Sequence, residues 1–324
     1  MSSSGCTYGS GTGTSCAGGS CPIVIAAGQS ASGVIAADGA GVYWTSLHDG
    51  TVMRVPAVGG PPVILASGQV SPANLAIDGA NVFWTASYST SQIPGPSYGV
   101  TLWRAPLGGG TGVMFPTATS SLFAPAGVAV DAANLYWTNG DGMLSQMPVG
   151  GGDVMTLNPG GDGAALGDLA IDKTSVYWAT PSDRTISKVP IGGGPVVTLA
   201  TGQNGIARIA VDSTSIYWTA SNDGTVMKAS LQGGPALTLA LLQSYPTGIA
   251  VDDTNVYWTN YAGAGSCALG AVMKVPLQGG TPTIVAGDQL YPDGIALDAT
   301  SVYWTTGVSR DLSVYNGDVM KLAK

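Results

Sequence analysis

One short phrase, built on Tyr-Trp-Thr, occurs seven times in this chain, and its spacing constrains the fold more than any other feature. The copies are marked by Trp44, Trp84, Trp137, Trp178, Trp218, Trp258 and Trp304. Successive copies lie 40 to 53 residues apart. One four-stranded blade of a β-propeller takes roughly 40–45 residues. The repetition therefore predicts an all-β, seven-bladed propeller of four-stranded antiparallel blades.

A full copy supplies four short apolar runs separated by turn residues, which we label strands A to D. In residues 248–285 the runs are "GIAVD", "VYWTN", "GAVMKVP" and "TPTIVA". The B strand is apolar on both faces, since Val and Trp point one way while Tyr and Thr point the other. We therefore expect every B strand to be buried between two neighbours, with its Trp in a seam between blades.

The two ends of the repeat region are predicted to close the ring. The seventh copy stops at "GDVMKLAK" and lacks a D strand, whereas residues 22–29, "PIVIAAGQ", resemble the D strands "PVILASGQ" and "PVVTLATGQ". Residues 22–29 should therefore complete the last blade, which leaves no open blade at the junction. The predicted organisation is a Cys/Gly/Ser-rich segment, residues 1–21, before a single propeller, residues 22–324.

Composition supports this fold and excludes several function classes. All 19 acidic residues are Asp, and 49 Gly and 20 Pro punctuate the chain, which favours turns over helices. The net charge of −8 provides no basic patch, so we expect no nucleic-acid partner. No run of about 18 apolar residues occurs, so we expect no membrane insertion. The first residues, "MSSSGCTYGS", lack the apolar core of a signal peptide.

The repeated motif resembles that of a known family. Tyr-Trp-Thr stands at 43–45, 136–138, 217–219, 257–259 and 303–305, with Phe83-Trp84-Thr85 and Tyr177-Trp178-Ala179 in the other two copies. Residues 22–324 thus resemble the YWTD-type β-propeller of low-density-lipoprotein-receptor ectodomains. The Asp of that motif is missing from every copy, and the family usually has six blades. The resemblance implies the propeller fold and a receptor-like binding role.

Comparison of the seven copies shows which connections vary. The A–B and C–D connections keep nearly constant length, whereas B–C connections expand in blades two, six and seven, and D–A connections expand before blades three and four. In an antiparallel blade the B–C and D–A connections lie at the same end. We call this end the elaborated face and the other end the regular face. A ligand is expected on the elaborated face, because binding residues gather on loops held by a rigid scaffold.

The elaborated face supplies most candidate binding residues. Tyr88, Tyr98, Tyr261 and Tyr315 lie in long B–C connections, where they either stack on a ligand or pack within the loops. Arg310 belongs to the same set. His48, the only histidine, lies in the short B–C turn of blade one. It is either a solvated turn residue or a polar contact of the ligand.

A second set of candidates opens strand A, where the seven copies meet at the mouth of the central channel. Asp168 and Arg208 come from adjacent blades, and we expect them to pair either as a structural ion pair or as an anchor for a polar ligand. Asn74 is a further candidate. The seven positions are Val34, Asn74, Gly127, Asp168, Arg208, Gly248 and Gly294.

Strand A ends in Asp in every copy, and strand C carries a cation in six. The Asp residues are expected to accept backbone N–H groups in their own A–B turns, with a cation-binding ring as the alternative. The cations are expected to pack their stems along a neighbouring strand. We expect no cofactor, and Ca²⁺ is the one metal that the composition leaves open. The aspartates are Asp38, Asp78, Asp131, Asp172, Asp212, Asp252 and Asp298; the cations are Arg54, Arg104, Lys188, Lys228, Lys274 and Lys321.

Four cysteines, Cys6, Cys16, Cys21 and Cys267, favour an oxidising, extracellular compartment. Cys21 precedes a D strand on the regular face, and Cys267 lies on the elaborated face, about 17–20 Å away. Bonded cysteines have Cα atoms about 4.4–6.8 Å apart, so these two should not pair. Cys6 or Cys16 is expected to reach Cys267, and we favour Cys6–Cys267 with Cys16–Cys21. The alternative is that the segment is a Gly/Ser linker.

Three functions fit these observations. We favour a secreted or cell-surface, non-enzymatic module that binds a glycan or protein partner through the elaborated face. The second is a structural subunit of an extracellular assembly. The third is a metal-assisted propeller lyase or hydrolase, which one His and no Glu supply with few general bases.

Overall fold

A computed structural model describes residues 21–29, 31–89, 98–115, 126–139, 141–160, 163–261, 269–307 and 317–324. These residues form 28 strands in seven four-stranded antiparallel sheets and contain no helix. The predicted seven-bladed propeller is confirmed. No helix in these ranges is long and apolar enough to cross a membrane.

Each of the first four blades takes its strands consecutively, in the order A, B, C, D. Blade one contains β2 (Ala31–Ala37), β3 (Gly41–Ser46), β4 (Thr51–Pro56) and β5 (Val63–Ala66). Blade two contains β6 (Val70–Ile77), β7 (Asn81–Ser89), β8 (Tyr98–Pro106) and β9 (Val113–Phe115). Blade three contains β10 (Gly127–Val130), β11 (Asn134–Thr138), β12 (Leu144–Pro148) and β13 (Met155–Asn158). Blade four contains β14 (Leu169–Ile171), β15 (Ser175–Thr180), β16 (Thr185–Pro190) and β17 (Val197–Ala200).

Blades five and six follow the same order, and blade seven takes its D strand from the beginning of the chain. Blade five contains β18 (Ile206–Val211), β19 (Ser215–Ala220), β20 (Thr225–Ser230) and β21 (Leu237–Ala240). Blade six contains β22 (Pro246–Val251), β23 (Asn255–Asn260), β24 (Gly270–Pro276) and β25 (Thr283–Gln289). Blade seven contains β26 (Ile295–Leu297), β27 (Ser301–Thr305), β28 (Gly317–Ala323) and β1 (Ile23–Gln29).

The strands are arranged radially around one axis. Each A strand contacts the A strands of both neighbouring blades, and these contacts run through all seven blades back to the first. The D strands are the outer edges of the sheets. The ring closes as the sequence predicts, because β1 pairs antiparallel with β28, with Ile23 opposite Lys321.

Seven apolar clusters hold the blades together, one in each seam. In every cluster a B-strand Trp packs against the Tyr or Phe of the preceding blade's B strand; Trp218, for example, meets Tyr177. Both aromatic side chains are buried. Replacing a buried aromatic side chain of this size by Ala costs roughly 3–5 kcal/mol, so each seam contributes strongly to stability.

In blade five the polar atoms of the repeated phrase also have partners. The hydroxyl of Tyr217 donates to Asp212 at 2.7 Å, within its own blade. The indole N–H of Trp218 donates to Gln203 of the preceding blade at 3.0 Å. The hydroxyl of Thr219 donates to the carbonyl of Thr247 in the following blade at 2.6 Å. In blade five, therefore, one strand forms hydrogen bonds to both neighbouring blades.

The strand-C cations form a second set of links between blades. Lys188 donates to the carbonyl of Leu231 in the next blade at 2.5 Å, and Lys228 donates to Leu277 at 3.0 Å. Lys321 does the same across the closing seam, to Ala57 at 2.6 Å. The stems lie along neighbouring strands as predicted, but the ammonium groups bind carbonyls of the next C–D turn rather than ending at a free edge.

Candidate functional site

The regular face is built of nearly identical turns. In all seven blades the Asp at the end of strand A accepts two backbone N–H groups of its own A–B turn; Asp38, for example, accepts from Ala40 and Gly41 at 2.8 and 2.7 Å. The C–D turn bonds to this turn through Ala57 N–H and the carbonyl of Ala40. The expected turn role of the aspartates is confirmed.

On the elaborated face the D–A and B–C connections bond to each other, as their common position requires. The N–H of Gln69 donates to Gly50, that of Gln203 to Arg184, and that of Gln243 to Gly224. Unlike the regular face, this face differs from blade to blade.

The ion pair between Asp168 and Arg208 lies at the mouth of the channel on the elaborated face. The Arg208 guanidinium is 3.5 Å from the Asp168 carboxylate, and the other carboxylate oxygen accepts the N–H of Ile209 at 2.9 Å. Burial raises the pKa of Asp168, although Arg208 and the backbone N–H groups oppose the shift. The Arg208 side chain keeps about a third of its surface exposed (30%), so it can still contact a ligand.

The pair also has a structural role, which comparison of the blades reveals. In blades three, five and six the B-strand Thr donates to a carbonyl at the start of the next A strand. Blade four has Ala179 at this position and no such hydroxyl. There Asp168 reaches Ile209 and Arg208 of blade five instead. The ion pair therefore replaces the missing link between blades four and five.

The remaining mouth positions hold little that a ligand could bind. Asn74 donates to the hydroxyl of Thr85 at 3.3 Å. Gly127 and Gly248 allow neighbouring A strands to approach closely, because a Cβ there would lie 2.8 Å from the nitrogen of Leu169 and clash with the carbonyl of Asp293. Asp168 and Arg208 are therefore the polar centre of the mouth.

Blade two projects a hairpin from this face. Its strands β7 and β8 have nine residues each, against six for β3 and β4, and Tyr88 pairs with Gly99 while Ser89 pairs with Tyr98. Both tyrosines thus stand on paired strands rather than in an irregular loop, since this segment continues the antiparallel ladder.

Blade six carries a group of three tyrosines. Tyr261 is buried (7% exposed), and its ring centroid lies 5.3 Å from that of Tyr291 in the next D–A connection. Its N–H donates to the carbonyl of Tyr245 in the preceding D–A connection at 3.0 Å. Tyr261 therefore joins two neighbouring connections, and Tyr245 is the more accessible ring (38% exposed).

Other candidates are separated from these groups or lie outside the described residues. His48 is exposed in the B–C turn of blade one. Arg310, Tyr315, Cys6, Cys16 and Cys267 lie outside the described residues. Cys21, just before β1, is not a free thiol. Within the described ranges no three His, Cys, Asp or Glu side chains come together as metal ligands.

The comparisons with known proteins agree on the architecture. The chain is similar to solved β-propellers. It resembles a streptogramin B lyase structure, with a TM-score of 0.72 and 11% identity over 94% of this chain and 98% of that chain. The WD40 β-propeller domain of Doa1 gives a TM-score of 0.68 and 11% identity over 94% and 97% of the two chains. A nidogen/laminin complex gives a TM-score of 0.50 and 21% identity over 61% of this chain and 75% of that chain.

No protein-family model matches the sequence, and no curated protein sequence matches it. At such low identities the structural likeness shows the fold alone.

Backbone conformation separates the two faces more sharply than loop length does. Among the described residues, seven other than Gly have a positive φ, and all seven lie on the elaborated face. This region costs an L-residue about 1–2 kcal/mol, and such strain concentrates at functional sites. The seven are Ser71, Asn74, Arg184, Leu242, Tyr245, Asp288 and Tyr291.

The elaborated face also carries many carboxylates. In the described part of the chain, the connections and adjoining strand ends on this face hold eight Asp and only two cations, Arg184 and Arg208. The aspartates are Asp49, Asp141, Asp168, Asp183, Asp223, Asp288, Asp293 and Asp318.

Sequence reasoning missed Leu242, Tyr245, Asp288 and Tyr291. The sequence does contain a signal for them. Several D–A connections carry a Gln 15 residues before a seam Trp, and when these connections are aligned on that Gln, the four residues stand opposite Gly of other connections. This Gln recurs as Gln29, Gln69, Gln203, Gln243 and Gln289.

Proposed function

We propose that this protein is a secreted or cell-surface binding module that recognises a glycan or protein partner through the elaborated face. One observation carries the proposal: every described residue other than Gly that adopts a positive φ lies on that face. The regular face connects the strands with repeated turns, and no described residue other than Gly has a positive φ there. Strained, variable side chains on a rigid ring are typical of a recognition surface.

The YWTD-type resemblance and the similarity to a nidogen/laminin complex support an extracellular role. The partly exposed side chain of Arg208 and the hairpin of blade two supply polar and extended contacts on the same face. None of these contacts requires a bound cofactor.

The proposal is tested by probing the folded protein on a glycan array and on an array of extracellular protein domains. We expect at least one ligand whose binding weakens tenfold or more with Tyr245→Gly, Arg208→Ala or His48→Ala. Val58→Ser is the matched control, since Val58 lies on the regular face and is 96% exposed. If only Val58→Ser weakened binding, the site would lie on the regular face, and the proposal would be wrong. Ordered polymers without any ligand would support the structural-subunit alternative.

Extracellular localisation rests on the cysteines. Cys21 is not a free thiol, and we propose the pairing Cys16–Cys21 with Cys6–Cys267. Peptide mapping of the unreduced protein by mass spectrometry should find these two linked peptide pairs. Four free thiols would contradict both the pairing and the secreted assignment.

A further inference from the structure

The five D–A connections that carry the seam Gln have a positive φ at one shared backbone position, and four of them have a positive φ at a second. The first is the residue immediately before the Gln. It is Gly in three connections, where Gly28, Gly68 and Gly202 have φ of 67°, 71° and 74°. In the connections into blades six and seven the same position is Leu242 and Asp288, with φ of 57° and 56°.

The second position lies two residues after the Gln. It is Gly205 in the connection into blade five, with φ of 72°, but Ser71, Tyr245 and Tyr291 in the connections into blades two, six and seven, with φ of 47°, 57° and 44°. The connection into blade five therefore places Gly at both positions, as "TGQNG", whereas the next two read "LLQSY" and "GDQLY". Because Gly takes this conformation without a Cβ clash, the fold does not require a side chain at either position.

In the connections into blades six and seven, three of the four side chains placed there, those of Leu242, Tyr245 and Asp288, are exposed to solvent. Leu242 is 97% exposed, its neighbour Leu241 is 63% exposed, and Asp288 is exposed as well. Two adjacent leucines on the surface, one of them in a strained conformation, gain nothing from burial within this chain. Their apolar side chains lower the free energy only when a partner covers them and removes them from water.

The two connections form one continuous surface. Tyr261 bonds to Tyr245 of the first connection and packs on Tyr291 of the second. The blade-five B–C turn, which carries Asp223, bonds to the first connection through Gly224 and Gln243. We call Leu241, Leu242, Tyr245 and Asp288 the blade-six patch; it lies on a face with eight Asp and two Arg among the described residues.

We propose that the blade-six patch docks a basic, apolar segment of a protein partner, in which Leu or aromatic side chains stand next to Lys or Arg. The acidic face attracts the cations, and the leucines and Tyr245 cover the apolar side chains. Two adjacent, exposed leucines match apolar side chains better than a polyhydroxylated sugar, which favours a protein over a glycan. This inference rests on the proposed function and names the partner class for that face.

The test uses the full chain and a phage library of random 12-residue peptides as the probe. Selected peptides should be enriched in Lys or Arg beside Leu, Phe or Trp, and their binding should weaken as salt is raised. Leu242→Gly and Tyr245→Gly should each reduce binding at least tenfold. Both variants should fold, and Leu242→Gly should melt no lower than the parent, because Gly occupies the same positions in the connection into blade five.

Several outcomes would overturn the inference while leaving the proposed function intact. Peptides that bind the elaborated face through Arg208 but ignore Leu242→Gly would do so, as would specific glycan binding without any peptide binder. Enrichment of acidic peptides, or a library that yields no specific binder, also contradicts it. Binders lost with Val58→Ser but not with Leu242→Gly would contradict both proposals.

Discussion

Lys324 forms an ion pair with Asp252, with its Nζ 2.9 Å from Oδ2, and so joins blade seven to the A–B turn of blade six. Its backbone N–H occupies the place of Ala57 in blade one, donating to Thr300 as Ala57 donates to Ala40. The ammonium also lies 5.8 Å from the ring centroid of Tyr257. At this position blade seven thus has the charged side chain of Lys324, which links it to blade six, whereas blade one has only the methyl group of Ala57.

Lys324→Met should weaken this link while keeping the stem over Tyr257. Although burial opposes it, the hydrogen bond from Lys324 holds the pKa of Asp252 well below its ordinary value. A carboxyl with a depressed folded-state pKa stabilises the fold above its unfolded pKa of about 3.9 and loses this contribution as the pH falls. The variant should lose about 1 kcal/mol at neutral pH in urea unfolding, and less in acid. Lys173→Met, at an exposed turn position, serves as the control and should change little.

Gln146→Lys should stabilise the seam between blades three and four. Gln146 stands where the six other blades carry Lys or Arg, and its side-chain oxygen is buried without a hydrogen-bond partner. It faces Tyr136 as Lys188 faces Tyr177. A lysine there is expected to donate to the carbonyl of Ile191 and raise the free energy of unfolding by about 1 kcal/mol. Unchanged or lower stability in denaturant titrations would contradict this prediction, because it would show that a cation at this position is not enough to form the link between the blades.

Gln203→Leu should destabilise the propeller by about 1–3 kcal/mol, because it leaves the buried indole N–H of Trp218 without its acceptor. The chain offers its own control. Gln29 holds the same place before Trp44, whose indole N–H is buried without a partner. Gln29→Leu should therefore cost clearly less in the same thermal unfolding experiment. Equal costs for the two variants would argue that the Gln acts through packing alone.

The seam tyrosines should make the protein sensitive to alkali. Burial and the hydrogen bonds to Asp172 and Asp298 raise the pKa of Tyr177 and Tyr303 to about 12. A raised pKa means that their contribution is complete below the unfolded value of about 10 and is lost as pH rises toward 12. Tyrosinate absorbance should therefore rise together with the loss of circular dichroism. Full ionisation at pH 10 with the fold intact would contradict the buried hydrogen bonds.

The sequence predicted the ring, its closure and the turn role of the aspartates because each is written in side-chain types that recur at fixed spacing. It could not predict the acceptors of Lys188 and Lys228, since backbone carbonyls have no side-chain signature. Backbone conformation was equally hidden: Leu242 looks like an ordinary loop residue until it is aligned with Gly202. The strand position of Tyr88 was missed because polar, Pro-containing residues follow it.

The pairing of β1 with β28 also sets the order in which this molecule assembles. Hairpins within a blade join residues close in sequence, but Ile23 meets Lys321 only after almost the whole chain has been synthesised. The entropic cost of closing so long a loop grows only slowly with length, yet non-local pairing of this kind slows folding. We therefore expect the first six blades to form from nearby strands, and the seventh blade, which closes the ring, to be completed last.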